Sequence, residues 1–442
     1  MRLPTFSKGV HPNDSKSLTS GKTIEYLPLP QEVFIPLQQH IGVSGEPVVE
    51  KDQEVRTGQV IGKSEKYVSS PIHASVTGKV KSIDKFLHPL GMKVTMIHIE
   101  KTGEDEWEKM PIMSDWQKSS PDELRSSIWQ AGIVGLGGAA FPTHVKLAPP
   151  KEKKIDSFIL NGVECEPYLT ADHRAMLEIG DKILTGMAII MKILGTNNGY
   201  IGIESNKPDA IETMRQLTEK YNPALRVVPL KVKYPQGAEK MLIEAILKRK
   251  VPTGGLPMDV GTIVNNIGTA LAVAEAITEG KPLIQRIVTV TGEGINNPKN
   301  VMARIGTPFK SLVDFCGGLR ENTVQVYMGG PMMGFAQYNL EVPIVKATSG
   351  IVCSMNESIV QLRTYPCIQC GSCVSVCPMN LLPTRLASFA EMAKWAEAEQ
   401  LGIMNCIECG SCGYICPSSI PLVQWIRVGK LRVSELKRKK VA

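Results

Sequence analysis

The amino-acid sequence predicts a multidomain α/β + β protein that ends in an α-helical, cysteine-rich module. Three observations carry that reading. The chain has 442 residues, too many for one core, so about three domains are expected. Between residues 121 and 284 apolar strand-like runs alternate with helical ones, the pattern of an open, mostly parallel sheet with helices on its faces. Eight of the 11 cysteines fall between Cys367 and Cys416, at gaps of two and three residues.

Composition removes other classes. The chain is 43% hydrophobic and 21% charged, which excludes disorder and a disulfide miniprotein. The best apolar run, 183–194, is broken by Lys192 and falls short of the ~20 residues that span a bilayer. Met1-Arg2-Leu3-Pro4-Thr5-Phe6-Ser7-Lys8 lacks the apolar core of a signal peptide. A soluble, cytoplasmic chain is therefore expected. Fifty Lys and Arg against 43 Asp and Glu leave +7, yet Arg427, Lys430, Arg432, Lys437, Arg438, Lys439 and Lys440 crowd the end. The rest is near neutral. A solvated basic tail explains this, with a membrane surface or acidic partner as the alternative. No basic groove with interleaved aromatics is present, so no nucleic acid is expected. Cysteines spaced so closely in a reducing compartment favour metal or redox chemistry over disulfides. Cys165, Cys316 and Cys353 stand alone and read as packed thiols.

In chain order, residues 1–115 are rich in β-branched residues punctuated by Gly, Pro and Asn/Asp. The stretches 50–62 and 71–80 resemble each other and read as short antiparallel strands. The pattern is similar to the barrel-sandwich hybrid of lipoyl and biotinyl carrier domains. Ile72-His73-Ala74 stands where those domains carry an acceptor Lys, so a barrel without a swinging arm is expected, with His73 at a turn or interface. A polar stretch, 109–120, leads into residues 116–284. There Ser120-Pro121-Asp122-Glu123 is a helix start: a capping hydroxyl, an early Pro, then two carboxylates at the positive helix end. Strand-like runs at 155–160, 199–203 and 225–230 alternate with helical periodicity at 171–194 and 207–220. Residues 285–350 read as a compact β-rich unit, with strands at 286–292 and 323–328, a helix at 308–316 and a loop, Gly329 to Gly334. The cysteine module occupies 351–425, with an amphipathic helix at 382–401, and the basic tail is 426–442.

The cysteine spacing is the most specific signal. Cys367-x-x-Cys370-x-x-Cys373-x-x-x-Cys377-Pro378 is followed by Cys406-x-x-Cys409-x-x-Cys412-x-x-x-Cys416-Pro417, the bacterial ferredoxin run twice over. Two-residue gaps let three thiolates wrap one face of a cubane, and the fourth Cys serves the other cluster. The expected ligand sets are thus Cys367, Cys370, Cys373 with Cys416, and Cys406, Cys409, Cys412 with Cys377. Structural zinc sites share the two-residue gap, but rarely run four such cysteines to a terminal Pro and need no interlocked pair. The insert 379–405 makes this a helical two-cluster ferredoxin module.

Four loops carry the remaining chemistry. Gly135-Leu136-Gly137-Gly138-Ala139-Ala140-Phe141, with Lys146 beyond it, lets backbone N–H groups approach a phosphate or a flat ring, although packing turns can look the same. Asn161-Gly162-Val163-Glu164-Cys165-Glu166 follows a buried strand, where open α/β sheets bind ligands. Tyr234-Pro235-Gln236-Gly237-Ala238-Glu239 and Asn265-Asn266-Ile267-Gly268-Thr269 each open a helix. Singly, each fits a cap or turn as well as a ligand contact.

Together these loops resemble the flavin- and NADH-binding subunit of respiratory complex I. The fuller resemblance, through Gly9-Val10-His11-Pro12 and 132–147, is to the RnfC family, peripheral subunits of Rnf ferredoxin:NAD+ oxidoreductases. It covers essentially the whole chain. It implies a barrel, a Rossmann-like flavin domain, a β-grasp (SLBB) unit and the two-cluster module. It also implies FMN held by Gly135, Gly137, Gly138 and Lys146, with Asn161, Asn265, Asn266 and Thr269 on its phosphate and ribityl chain. Phe141, Glu164, Glu166, Tyr234, Gly237 and Glu239 would line the NADH site, Phe141 by stacking on nicotinamide. Leu136, Ala140, Val163 and Ala238 stand where the complex I subunit has Arg, Gly, Asp and Glu. No acid–base residue is implied. Two [4Fe-4S] clusters, FMN and NAD(H) would relay electrons between NAD(H) and membrane-embedded Rnf subunits or an electron-carrier subunit or ferredoxin. The chain would sit peripherally on the cytoplasmic face, in a complex that exports Na+ or H+. The nearest rival is a cobalamin-reductase-type flavin/iron–sulfur enzyme, which usually lacks the N-terminal barrel; a further one is a redox scaffold that binds no NADH.

Overall fold

The structure is a computed structural model that describes residues 3–355 and 363–441. Met1 and Arg2, part of the 351–425 module (356–362), and Ala442 lie outside the described residues, as do the side chains of Val441 and of Lys440 in the expected basic tail.

Its centre is a four-stranded, all-parallel sheet in the spatial order Arg226–Leu230, Gly199–Glu204, Ser157–Asn161, Thr262–Asn266. These strands form because Phe158, Ile159, Leu160, Ile201, Ile203, Ile263 and Val264 are apolar in near-continuous runs, and each is buried. The flanking helices obey local rules. Pro121–Gln130 begins with a capping box in which the Ser120 and Glu123 side chains bond each other's backbone N–H. Gly180–Leu194 and Ile267–Glu279 each end on a left-handed glycine, Gly195 and Gly280. These two helices cross closely at Gly186, where an added Cβ would lie 1.8 Å from the Ala270 carbonyl oxygen. The periodic stretch 171–194 is therefore two helices, Ala171–Glu178 and Gly180–Leu194, because Ile179 leaves helical geometry and Gly180 packs against Leu217.

A six-stranded sheet runs Ile24–Tyr26, Lys299–Arg304, Gln285–Thr291, Gly350–Ser354, Gln325–Met328, Phe335–Gln337, with Phe309–Phe315 as its helix. Its first strand comes from the N-terminal segment and pairs in parallel with Lys299–Arg304. The remaining N-terminal strands form two small sheets. One runs Glu32–Pro36, Lys93–Lys101, Gly78–Leu87, Glu54–Val55; the other runs Glu46–Pro47, Val60–Lys63, Ile72–His73. Ile72, His73 and Ala74 are buried and so form no exposed tip.

Two expectations for the cysteine module need correction. The stretch 382–401 is two helices, Pro383–Glu391 and Trp395–Gln400, separated at Ala393, whose φ is 55°. The basic tail is no solvated appendage starting at 426. It is the body of a helix, Leu422–Val441, that runs straight through that boundary. Leu422, Val423, Ile426 and Val433 are buried under it. Arg432, Lys437, Arg438 and Lys439 are exposed on it, so counting charge alone hid the apolar stripe.

Gly186→Ala should push the two crossing helices apart at a cost of about 1–3 kcal/mol. Thermal unfolding would show this as a lowered Tm; an unchanged Tm would mean that the crossing has slack.

Candidate functional site

The strand order places the site. Ser157–Asn161 continues through two helices to a neighbour on one side, while the strand on its other side, Thr262–Asn266, is the last of this sheet to arrive in the chain. Between them the connections diverge, which opens a crevice at the carboxyl ends. The register sets Asn161 directly beside Asn266 there. The Asn161 amide donates to the Gly237 carbonyl (2.9 Å) and its oxygen accepts from the Val163 N–H (3.2 Å). Asn266 caps helix Ile267–Glu279 by accepting from the Gly268 N–H (2.8 Å), and its amide donates to Asp172 (2.6 Å). Asn265, 5% exposed, keeps a side-chain oxygen with no partner among the described residues.

The glycine loop seats on this crevice. Gly135 N–H bonds the Phe141 carbonyl (2.8 Å) and Ala140 N–H returns to Gly135 (3.1 Å). Leu136 N–H donates to the buried Thr269 hydroxyl (2.9 Å). Gly137 packs on Asn266, where an added Cβ would come within 3.3 Å of the Asn266 Cβ, whereas Gly138, at φ +108°, faces open space. Gly137, Gly138 and Ala139 are exposed and Phe141 is half-buried. The result is a run of exposed backbone over a buried amide oxygen in want of a donor. That donor set fits a flat, phosphate-bearing ligand such as FMN. Lys146 and Glu239, from opposite walls, bond each other.

The acidic loop is braced from beneath. Glu164, at φ 47°, accepts from the N–H groups of Asp172 (2.7 Å) and His173 (3.2 Å) and so caps helix Ala171–Glu178. Glu166 accepts from Met332 N–H (2.7 Å) and Met333 N–H (3.1 Å) across the six-stranded sheet's loop, and burial raises its carboxyl. The ammonium of Lys207, fully buried, donates to the Val163 carbonyl (2.8 Å), and burial pushes it down to about 8. Lys16 donates to the Glu166 carbonyl (3.0 Å). Burial, then the neighbouring Glu164 carboxylate, pushes Asp172 up to about 7. Motif reading passed over Lys16, Asp172 and Lys207. The one signal for Lys207 was its place after a buried strand, just before a helix-starting Pro.

Tyr234 joins the flavin-type crevice to the cysteines. Its ring is 2% exposed, and its hydroxyl donates to the Cys409 carbonyl (2.6 Å). Its backbone pairs both ways with Val10. Gly237 N–H meets the Cys165 thiol (3.2 Å). Beyond Tyr234 lies a pocket of about 380 Å³ of free space, counting its solvent-open part, walled by Cys377, Cys406, Cys409 and Cys412. This is one of the two ligand sets expected from spacing, gathered around a space of its own. The two runs repeat each other's geometry. Gln369 and Glu408 both take positive φ and donate to the thiols of Cys367 and Cys406 (3.4 Å each). Such N–H···S bonds are the second shell an iron–sulfur cubane requires. In the other set, Cys373 is buried but Cys367 and Cys370 are exposed.

Comparisons with known proteins give a consistent picture. Family models match for the RnfC barrel sandwich hybrid domain (residues 4–104), the Nuo51 FMN-binding domain (128–275), the SLBB domain (287–336) and the 4Fe-4S dicluster domain (366–420). The chain is 52% identical to the C component of the proton-translocating ferredoxin:NAD(+) oxidoreductase complex of Clostridium ljungdahlii, over 96% of this chain and 93% of that one. It is 44% identical to the Na(+)-translocating counterpart of Acetobacterium woodii, over 98% of both. A crystal structure of an NAD+-reducing [NiFe]-hydrogenase shares the fold over 66% of this chain and 60% of that one, at 18% identity and a TM-score of 0.53.

Asp172 generates a pH prediction. Its carboxyl is raised on folding, so between about pH 4 and about pH 7 the folded chain holds a proton that the unfolded chain has lost. Stability should fall across that window as pH rises. Asp172→Asn should remove this component, so unfolding midpoints of wild type and variant should converge at acid pH and separate in the variant's favour above about pH 7. A constant difference would sink the assignment.

Proposed function

The chain belongs to the RnfC family, the peripheral electron-transfer subunits of ion-translocating ferredoxin:NAD+ oxidoreductase complexes, and we propose that its residues serve that reaction as follows. It is an electron-transfer subunit, using NAD(H), FMN and two [4Fe-4S] clusters. We read 1–115 as a barrel-sandwich hybrid that lends the strand Ile24–Tyr26 to its neighbour, 116–284 as a Rossmann-like flavin domain, 285–350 as the β-grasp unit, which the strand Gly350–Ser354 extends past that boundary, and the rest of 351–425 as the two-cluster module. The Leu422–Val441 helix completes that module.

Gly137 and Gly138 would present backbone N–H groups to FMN, with Gly135, its own N–H bonded to Phe141, shaping the loop behind them; Asn265 would offer its unpartnered oxygen, and Lys146 its ammonium once released from Glu239. Asn161, Asn266 and Thr269 hold the crevice's edges in register. Phe141 offers the ring on which nicotinamide stacks. Glu166 and Gly237, with Glu239, would complete the NADH wall. Glu164 supports that wall by capping the helix behind it, and Tyr234 fixes the wall to the cysteine module. FMN, when bound, supplies the conversion between a hydride pair and single electrons. Cys406, Cys409, Cys412 and Cys377 would hold one cluster, and Cys367, Cys370, Cys373 and Cys416 the other.

The observation that carries this reading is the hydrogen bond from Tyr234, on the crevice wall, to Cys409, on the wall of the cysteine pocket. Among the described residues no helix is long and apolar enough to cross a membrane. Attachment to the cytoplasmic face through other Rnf subunits, and exchange with an electron-carrier subunit or ferredoxin, complete the proposal. The match at 4–104 favours it over the cobalamin-reductase type.

The test is anaerobic purification with flavin and iron analysis. About eight irons and one FMN per chain, both reducible by NADH, are expected; a colourless chain would refute the reading. Cys409→Ser should leave about half the iron. Phe141→Ala should keep its flavin while KM for NADH rises roughly three- to tenfold, the worth of one stacking contact.

A further inference from the structure

Cys377, Cys409 and Cys412 are buried and face the flavin-side pocket, whereas Cys367 and Cys370 of the other set are exposed. The residues 363–371 carrying that pair run without helix or strand and are exposed throughout. They are held against the end of the second cysteine run: Tyr365 N–H donates to the Ser418 carbonyl (2.9 Å), and the Ser418 hydroxyl donates back to Pro366 (3.0 Å). These bonds bring together two short segments, each carrying large apolar side chains left in solvent. Tyr365 and Ile368 are 57% and 68% exposed, Tyr414 and Ile415 52% and 38%. Four such residues on two bonded segments, one of which carries a pair of exposed thiols, exceed the scattered apolar exposure of an ordinary surface.

The charge carried by these segments is one-sided. Residues 363–385 and 411–421 contain two arginines, Arg363 and Arg385, and no Asp or Glu. Both arginines are exposed. Three of the module's acids, by contrast, are matched within it: Glu408 by Arg427 and Lys430, Glu435 by Arg432, Glu399 by Lys437.

We propose that this face, centred on Tyr365 and Ile368 and flanked by Arg363 and Arg385, is the docking surface for an acidic one-electron carrier protein. The proposal rests on the reading of the module as a two-cluster electron relay and adds where its protein partner binds. An apolar centre with a cationic rim complements an apolar centre with a carboxylate rim. A second copy of this chain would bring like charge against like. These two segments hold no carboxylate to repel an acidic partner, and the exposed thiols bring its contact within reach of the site they form.

The experiment uses the full chain, reconstituted with iron and flavin, and a small acidic ferredoxin as probe. Affinity is measured by surface plasmon resonance across a salt series. Arg363→Glu/Arg385→Glu should weaken binding about tenfold at low salt and flatten its salt dependence, and Tyr365→Glu should weaken it at all salt concentrations. NADH-driven ferricyanide reduction and iron content should be unchanged. Should Tyr365→Glu lose iron, the arginine variant decides. Binding within twofold of wild type in variants that keep iron and NADH turnover overturns the proposal and leaves the relay standing. So does loss of binding to anionic vesicles, or of self-association, with ferredoxin affinity intact. A wild-type chain without iron or NADH turnover removes the relay and the proposal together.

Discussion

The register between two parallel strands governs this molecule. Because Thr262–Asn266 pairs with Ser157–Asn161, Asn161 and Asn266 end side by side at the place where the sheet's connections diverge. Everything at the crevice is referred to that pair. Asn266 starts the helix on one side and bonds Asp172 on the other. The Asn161 amide fixes Gly237, and with it the turn that carries Tyr234. A slip of one residue would send the shifted strand's side chains to the opposite face, part the two amides, leave buried polar groups unpaired and unseat the glycine loop. The close crossing at Gly186 and Ala270 belongs to the same constraint, since helix Ile267–Glu279 cannot move without moving Asn266.

The second level is how the cysteine module is fastened to that crevice. Among the described residues no strand joins them; the joint is built of single polar contacts on a small apolar core. Val10, Tyr234 and Cys409 pack together with Met332 and Ile407 at its edge. Around them Gly9 N–H bonds the Val376 carbonyl (3.0 Å), and Lys8 bonds the Val374 carbonyl (3.2 Å). Glu166 holds the Met332–Met333 turn, against which Gly410 packs so tightly that a Cβ would lie 2.4 Å from the Met332 oxygen. Arg427 closes the far side, donating to Met333 (3.1 Å) and stacking over Phe335 at 4.7 Å. An electron-transfer protein has reason to build its joint this way. The parts are pinned at several points, and the carboxylate nearest the turn has both its N–H partners supplied.

Much of this was legible in the sequence, and what was not has physical causes. The cysteine runs, the Ser120 cap and the alternation of strand and helix are local signals, and local signals survive without coordinates. The sheet edge contributed by Ile24–Tyr26 was not visible, because strand pairing over such sequence separation leaves no periodic trace. The helix Leu422–Val441 was hidden by its own charge, its apolar positions being too sparse beside seven cations. At the crevice, the glycines and asparagines announced themselves by type and place. Tyr234 was expected as an open ligand contact, yet its hydroxyl is committed to Cys409. That commitment depends on a residue 175 positions away in sequence, which no motif encodes. Lys16 and Lys207 were missed for the same reason: a lysine in a sequence reads as solvated, and only burial reveals a brace.

The N-terminal sheets pose the remaining question of what they contribute to the crevice. The contacts supply an answer. Gly132, at φ +68°, opens the glycine loop, and an added Cβ there would lie 2.4 Å from the Pro71 oxygen of the barrel. The ammonium of Lys346, 1% exposed, donates to both Pro71 (3.0 Å) and Gly132 (2.6 Å). It thereby sews the barrel, the loop and the end of the β-rich unit at one point. His73 packs there too, and burial pushes its imidazole down to about 3, so it stays neutral beside that lysine. Further along the same loop, Ile41 N–H donates to the Ala140 carbonyl (3.2 Å), next to Phe141. The barrel thus grips the glycine loop at its root and again beside its aromatic residue. Left-handed and solvent-facing residues such as Gly138 would cost conformational entropy to order on ligand binding. Holding both ends of the loop from outside the α/β domain settles much of that cost on folding, which gives the N-terminal sheets a part in building the crevice.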